Sequence, residues 1–125
     1  MKYIKNSFLI EKINLQKLTK KFETPLYCYS YEKLKHNINN FKLYFKSFSP
    51  LICFALKANS NLKIIKEIKK LGLGADVVSK GELMKALKAG VNSKKIVYSG
   101  VGKTSSELSY AIDKKILLIN SESRS

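Results

Sequence analysis

Two short stretches of this 125-residue chain hold side chains able to do chemistry, and each has an ordinary alternative. In "LICFALKANSN" (51–61), strand alternation puts Leu51, Cys53, Ala55 and Lys57 on one face and Ile52, Phe54 and Leu56 on the other. In a barrel the bulky set would face surrounding helices and the smaller set would line the interior, so that Lys57 points inward at the mouth. A lysine drawn out of water gives up its charge more readily and condenses with an aldehyde or ketone as a Schiff base. The alternative is a strand-terminal lysine reaching water in a lysine-rich chain, and spacing alone favours it. The second stretch, "YSGVGKTS" (98–105), contains the Gly-Lys-Thr that ends a phosphate-binding loop. Such a loop needs a glycine five positions before Gly102, so that its backbone amides can wrap the phosphates. That position is Val97, whose branched side chain cannot take the turn.

The elements that must position these residues follow two alternating periodicities. "LYCYS" (26–30) reads as a short strand. Leu34, Ile38, Phe41, Phe45 and Phe48 then recur at helical spacing, predicting a helix over about 31–46 that Pro50 ends. Residues 51–57 form a strand apolar on both faces. Leu62, Ile65, Ile68 and Leu71 mark a helix that stops at Gly72. "GADVVS" (74–79), "KIVYS" (95–99) and "ILLIN" (116–120) are further buried strands. Ser79 with Glu82, and Thr104 with Glu107, have capping-box spacing and start the helices between them. Thr104 is thereby assigned to a helix cap rather than to a metal ion. Strands buried on both faces and separated by single helices pair in parallel through right-handed crossovers. The fold class is α/β, either doubly wound or a (β/α) barrel. Both architectures bind ligands where strands turn into helices, which is where Gly100–Thr104 lies.

Bulk properties exclude several classes. The chain is one domain's worth, 45% apolar, with no run near the roughly 20 apolar residues that span a bilayer. Glu11 and Lys12 interrupt the apolar patch at the N-terminus, which spoils a signal peptide and leaves a cytoplasmic protein as the default. The net charge of +15 comes almost wholly from lysines spread along the chain, with Arg124 the single arginine. Bidentate phosphate contacts and base readout favour arginine, so these lysines read as solvated helix faces, with no nucleic-acid and no membrane partner expected. Cys28 and Cys53 read as reduced core thiols, and no metal site is expected. His36, the single histidine, falls on the polar side of the first helix and is given no direct role.

Against this reading, "FALKANSN" followed by Ile64, Ile65, Ile68 and Gly72 resembles the pyridoxal-phosphate attachment motif of the ornithine/diaminopimelate/arginine decarboxylase family. "GADVVSKGEL" (74–83) resembles that family's next strand and helix start, and "IVYSGVGKT" (96–104) is similar to the third-strand loop of its diaminopimelate-specific members. "FETPLYCYS" (22–30) resembles the usual lead-in, with Glu23 where glycine is common. The similarity runs from about residue 8 to residue 122. It implies a (β/α)₈ barrel followed by a β-domain. Residues 1–30 would be an N-terminal segment and strand associated with that β-domain, and 31–125 the first half of the barrel, about four βα units. It implies pyridoxal 5'-phosphate as cofactor, Lys57 as its catalytic attachment point, Asp76 and Ala55 bordering it, and Ser79 near the site. It further implies an amino-acid substrate, most specifically meso-diaminopimelate going to L-lysine and CO₂, and a homodimer of the full-length enzyme. A whole barrel takes roughly 250 residues, so the chain is expected to be a truncated product or fragment without decarboxylase activity of its own. The alternatives are a sibling acting on ornithine, arginine or carboxynorspermidine, or a non-catalytic basic remnant.

Overall fold

The computed structural model describes residues 2–4 and 7–123, in two compact units, Met1–Tyr44 and Phe45–Ser125. The first unit begins with strands β1 (Lys2–Ile4), β2 (Ser7–Ile10) and β3 (Ile13–Asn14), an antiparallel sheet in that order. The Tyr3 and Phe8 rings, opposed across β1 and β2, stack at 4.8 Å. Asn14 then caps helix α1 (Leu15–Phe22), its Oδ1 accepting from the Gln16 N–H at 2.8 Å. A side-chain acceptor there satisfies amides that have no helical partner. Helix α2 (Tyr31–Tyr44) starts where Glu11 accepts from the Ser30 hydroxyl (2.8 Å) and the Glu32 N–H (3.0 Å). These bonds favour the charged carboxylate and hold Glu11 below its ordinary range.

Three sequence expectations change in this unit. The β1–β3 sheet and α1 are additions, because strands this short carry too few residues for alternation to register. Residues 26–30 form no strand. Among the described residues their extended backbone has no ladder partner, and Tyr27 and Tyr29 stay exposed. The helix stops at Tyr44, followed by a 3-10 turn at Lys46–Phe48, and of its apolar stripe only Ile38 is buried.

The second unit carries the parallel sheet in the order β4 (Cys53–Ala55), β5 (Gly74–Val77), β6 (Ile96–Tyr98), β7 (Leu118–Ile119). Helices α3 (Leu62–Lys70), α4 (Lys80–Lys88) and α5 (Ser105–Asp113) connect them. On one face Ala75, Val77, Ile96 and Tyr98 join Leu56, Ile65, Leu83, Ala86 and Ala111 in a core with no exposed surface. The buried face of α3 is Ile65 and Ile68, while Lys63, Lys66, Lys69 and Lys70 are exposed, as the charge pattern implied. Among the described residues no helix is long and apolar enough to cross a membrane. Cys28 and Cys53 are free thiols, but both are half-buried and neither belongs to the core.

The strands are shorter than their apolar runs. β4 ends at Ala55, and the Ala58 N–H turns back to the Ala55 carbonyl at 3.2 Å. Lys57 therefore sits in a turn, and strand alternation does not decide where it points. At the other end of the sheet, Gly74 opposes Cys53 in register. A Cβ on Gly74 would stand 2.2 Å from the Lys95 carbonyl oxygen and 2.8 Å from Cys53 Sγ. Backbone oxygen cannot step aside as a flexible side chain would, so Gly74→Ala is expected to cost about 3 kcal/mol or more. A urea unfolding midpoint unchanged by this substitution would contradict that close approach.

Candidate functional site

The parallel register sets Ala55, Asp76, Val97 and Leu118 in one row across all four strands. Alternation turns this row away from the helix-packed face. Asp76 thus stands between an alanine and a valine, and its Oδ1 is buried with no hydrogen-bond partner among the described residues. Cys53, two residues before Ala55 on β4, shares this face, and its thiol is pushed above its ordinary pKa first by burial and then by the Asp76 charge. The Asp76 carbonyl accepts from the Leu56 N–H at 2.9 Å, tying the turn that carries Lys57 to β5. Lys57 itself is exposed. Lys57 and Asp76 lie at adjacent strand ends and form no ion pair with each other. A buried carboxylate oxygen with no donor is costly. It suits a site whose cationic or N–H partner arrives with a ligand, as a pyridoxal group does.

The loops at the C-terminal rim are held by carboxylates. Ser79 Oγ accepts from the Glu82 N–H (3.2 Å), but the Glu82 carboxylate returns to the Val78 N–H (2.9 Å), one residue before the cap. The capping box expected at Ser79 is therefore offset, and Ser79 serves as a helix cap. At Thr104 the box is complete: the hydroxyl accepts from the Glu107 N–H and the Glu107 carboxylate from the Thr104 N–H (3.1 Å). Glu107 Oε1 also accepts from the Lys80 N–H at 3.0 Å, on the neighbouring helix. These amide bonds, that of Lys80 first, hold the Glu107 carboxyl down to about 2. The Tyr98 hydroxyl beside it is pushed up to about 12, by burial and then by Glu107. It nonetheless lies outside hydrogen-bond geometry.

The glycine loop closes differently from a phosphate loop. Gly100, at φ 93°, donates its N–H to Glu122 Oε1 at 3.2 Å. Lys103 Nζ donates to the Gly100 carbonyl and lies 5.9 Å from the Tyr98 ring centroid. Both the amide and the ammonium that would cradle phosphate are thus engaged within the protein. Asn120 donates to the Ser99 hydroxyl at 2.9 Å across β6 and β7. Beside the loop opens a cavity of about 460 Å³, with Leu108 and Ile119 as apolar walls and Lys103 and Glu122 at its edge. His36, on an exposed helix face, pairs its Nε2 with the Asn40 amide at 3.1 Å, and no metal-binding cluster exists among the described residues. The spacing of Thr104 and Glu107 announced a cap, but nothing in it announced the reach to Lys80. Glu122 carried no signal at all.

Residues 31–125 match the family described as pyridoxal-dependent decarboxylase, pyridoxal binding domain. Over 99% of its length the chain is 46% identical to the diaminopimelate decarboxylase of Aquifex aeolicus, of which it covers 29%. It superposes with TM-score 0.83 on the crystal structure of Helicobacter pylori diaminopimelate decarboxylase complexed with L-lysine, at 46% identity, covering 88% of this chain and 28% of that one. For the M. jannaschii enzyme in co-complex with L-lysine the TM-score is 0.90 at 40% identity, covering 94% of this chain and 28% of that one. The chain spans less than a third of the length of these relatives. Its four parallel strands and the three helices between them are part of an α/β barrel.

Because folding depresses the Glu107 pKa, its contribution is complete above pH 4.5 and is lost as pH falls from there toward 2. Thermal melts across that window should show a steep acid limb in the wild type and a shallower one in Glu107→Gln. Equal limbs would count against this carboxylate as the acid-sensitive tie.

Proposed function

The chain belongs to the pyridoxal-dependent decarboxylases, whose pyridoxal binding domain it carries, and on that premise we propose that it is the N-terminal part of a diaminopimelate decarboxylase. In this reading the whole protein is a cytoplasmic homodimer that converts meso-diaminopimelate to L-lysine and CO₂. The observation that carries the proposal is the unpartnered, buried oxygen of Asp76, set beside Ala55 at the strand end next to Lys57. Pyridoxal phosphate, when bound, supplies a ring that accepts the electron pair released as CO₂ departs.

The residues of this chain have separable roles. Lys57, on its turn, is the nucleophile that joins the cofactor covalently, and its exposure leaves the amine reachable. Asp76 borders the cofactor as the fixed negative charge that favours a cationic group nearby. Ala55, the last residue of β4 and opposite Asp76 in register, keeps space open beside that carboxylate because it has no side chain beyond Cβ. The similarity to enzymes solved with L-lysine supports an amino-acid substrate with a second polar end.

Two measurements test the reading. Borohydride trapping of the chain with pyridoxal phosphate, followed by peptide mass mapping, should label Lys57 above all other lysines. The label should vanish from that peptide in Lys57→Ala, and labelling scattered evenly over surface lysines would argue against the assignment. The second measurement joins residues 1–122 to the remaining length of the Aquifex aeolicus relative. That hybrid should release CO₂ from meso-diaminopimelate and lose at least about a hundredfold in rate on Lys57→Ala. Release from ornithine with none from diaminopimelate would overturn the substrate assigned here.

A further inference from the structure

We infer that Glu107 and Glu122 are positioning residues that hold each rim loop from the βα unit that follows it. Glu107 opens α5, after β6, yet its Oε1 takes the N–H of Lys80, the first residue of α4, where the loop that follows β5 enters that helix. Glu122, after β7, takes the Gly100 N–H of the loop that follows β6. The two ties span 27 and 22 residues, about one βα unit each, and run in the same direction around the sheet. Among the described residues neither amide has another acceptor. Lys80 N–H is the first of α4, where a helix has no internal partner to offer. Gly100 sits at a φ of 93°, in a loop with no ladder bond of its own.

The ties act on the residues of the candidate site through the backbone. The loop fixed by Glu107 begins immediately beyond β5, the strand that carries Asp76, and Glu82 fastens its first amide, that of Val78. The loop fixed by Glu122 turns over Tyr98, whose side chain lies in the core beside Glu107. The rim is therefore ordered by the protein itself, with no ligand needed to set the direction of its amides. The inference does not rest on the pyridoxal reading, since it concerns the chain without cofactor.

Amide hydrogen exchange on the chain without cofactor tests it. A hydrogen bond from a backbone amide to a carboxylate is strong enough that its removal should speed exchange by roughly tenfold or more. Glu107→Ala should do this at Lys80 and Glu122→Ala at Gly100, while the Ile65 amide, bonded inside α3 to Asn61, keeps its wild-type rate. The corresponding Gln variants retain an acceptor oxygen and should restore most of the protection. Thr104→Ala, which removes the cap of α5 and the hydroxyl bond to Glu107 Oε2 (2.9 Å) but leaves Oε1 to the Lys80 N–H, should leave Lys80 protected. Exchange at Lys80 and Gly100 that is unmoved in the Ala variants would overturn the inference. So would acceleration shared equally by Ile65, or loss of Lys80 protection in Thr104→Ala to the extent seen in Glu107→Ala.

Discussion

The register of four parallel strands governs everything else in the second unit. Pairing Ala55 with Asp76, Asp76 with Val97 and Val97 with Leu118 puts a carboxylate in an apolar row. A slip of one residue would turn that carboxylate into the helix-packed core and Ala75 or Val77 out of it. The core would then hold an unpaired charge, at a cost far above what a helix cap or a surface ion pair returns. Register and site are thus one constraint. The same packing of Ile65, Leu83 and Ala111 that excludes water from the helix side keeps Asp76 on the other side, near the end of the strand that Lys57 adjoins.

Polar satisfaction explains why one end of the sheet is the chemical end. At the opposite end the chain packs so closely that Gly74 admits no Cβ beside the Lys95 carbonyl. At the rim, loops are wider, and three glutamates take the amides that strands and helices leave over. Asp76 is the exception, a rim-side carboxylate whose Oδ1 accepts from nothing among the described residues. The difference separates carboxylates the protein uses to hold itself from one left without a donor among the described residues. It also removes the resemblance of "GVGKT" to a phosphate loop, because Lys103 turns back on Gly100 and Thr104 belongs to its helix.

Much of the architecture could be read along the chain because its determinants are local. Ile65 and Ile68 repeat at helical spacing and are buried as that spacing requires. Thr104 and Glu107, three residues apart, form the box their types predict. Where a second partner was needed, the reading was weaker. "LYCYS" has strand-like composition and no strand beside it, so it stays irregular. Alternation through "LICFALK" carried Lys57 onto the Ala55 face, yet the ladder stops at Ala55 and the turn to Ala58 sets the lysine apart. Glu82 satisfied the box spacing but found the Val78 amide nearer than that of Ser79.

By itself, then, the order of residues determined the βα alternation, the helix caps, the lysine-bearing motif and the family it resembles. Each is a matter of neighbours a few positions apart or of a pattern preserved along the chain. The tertiary structure decided which oxygen is left without a donor and which glutamate holds which loop. Those outcomes depend on atoms brought to 3.2 and 3.0 Å from 22 and 27 residues away, and no local periodicity encodes such distances.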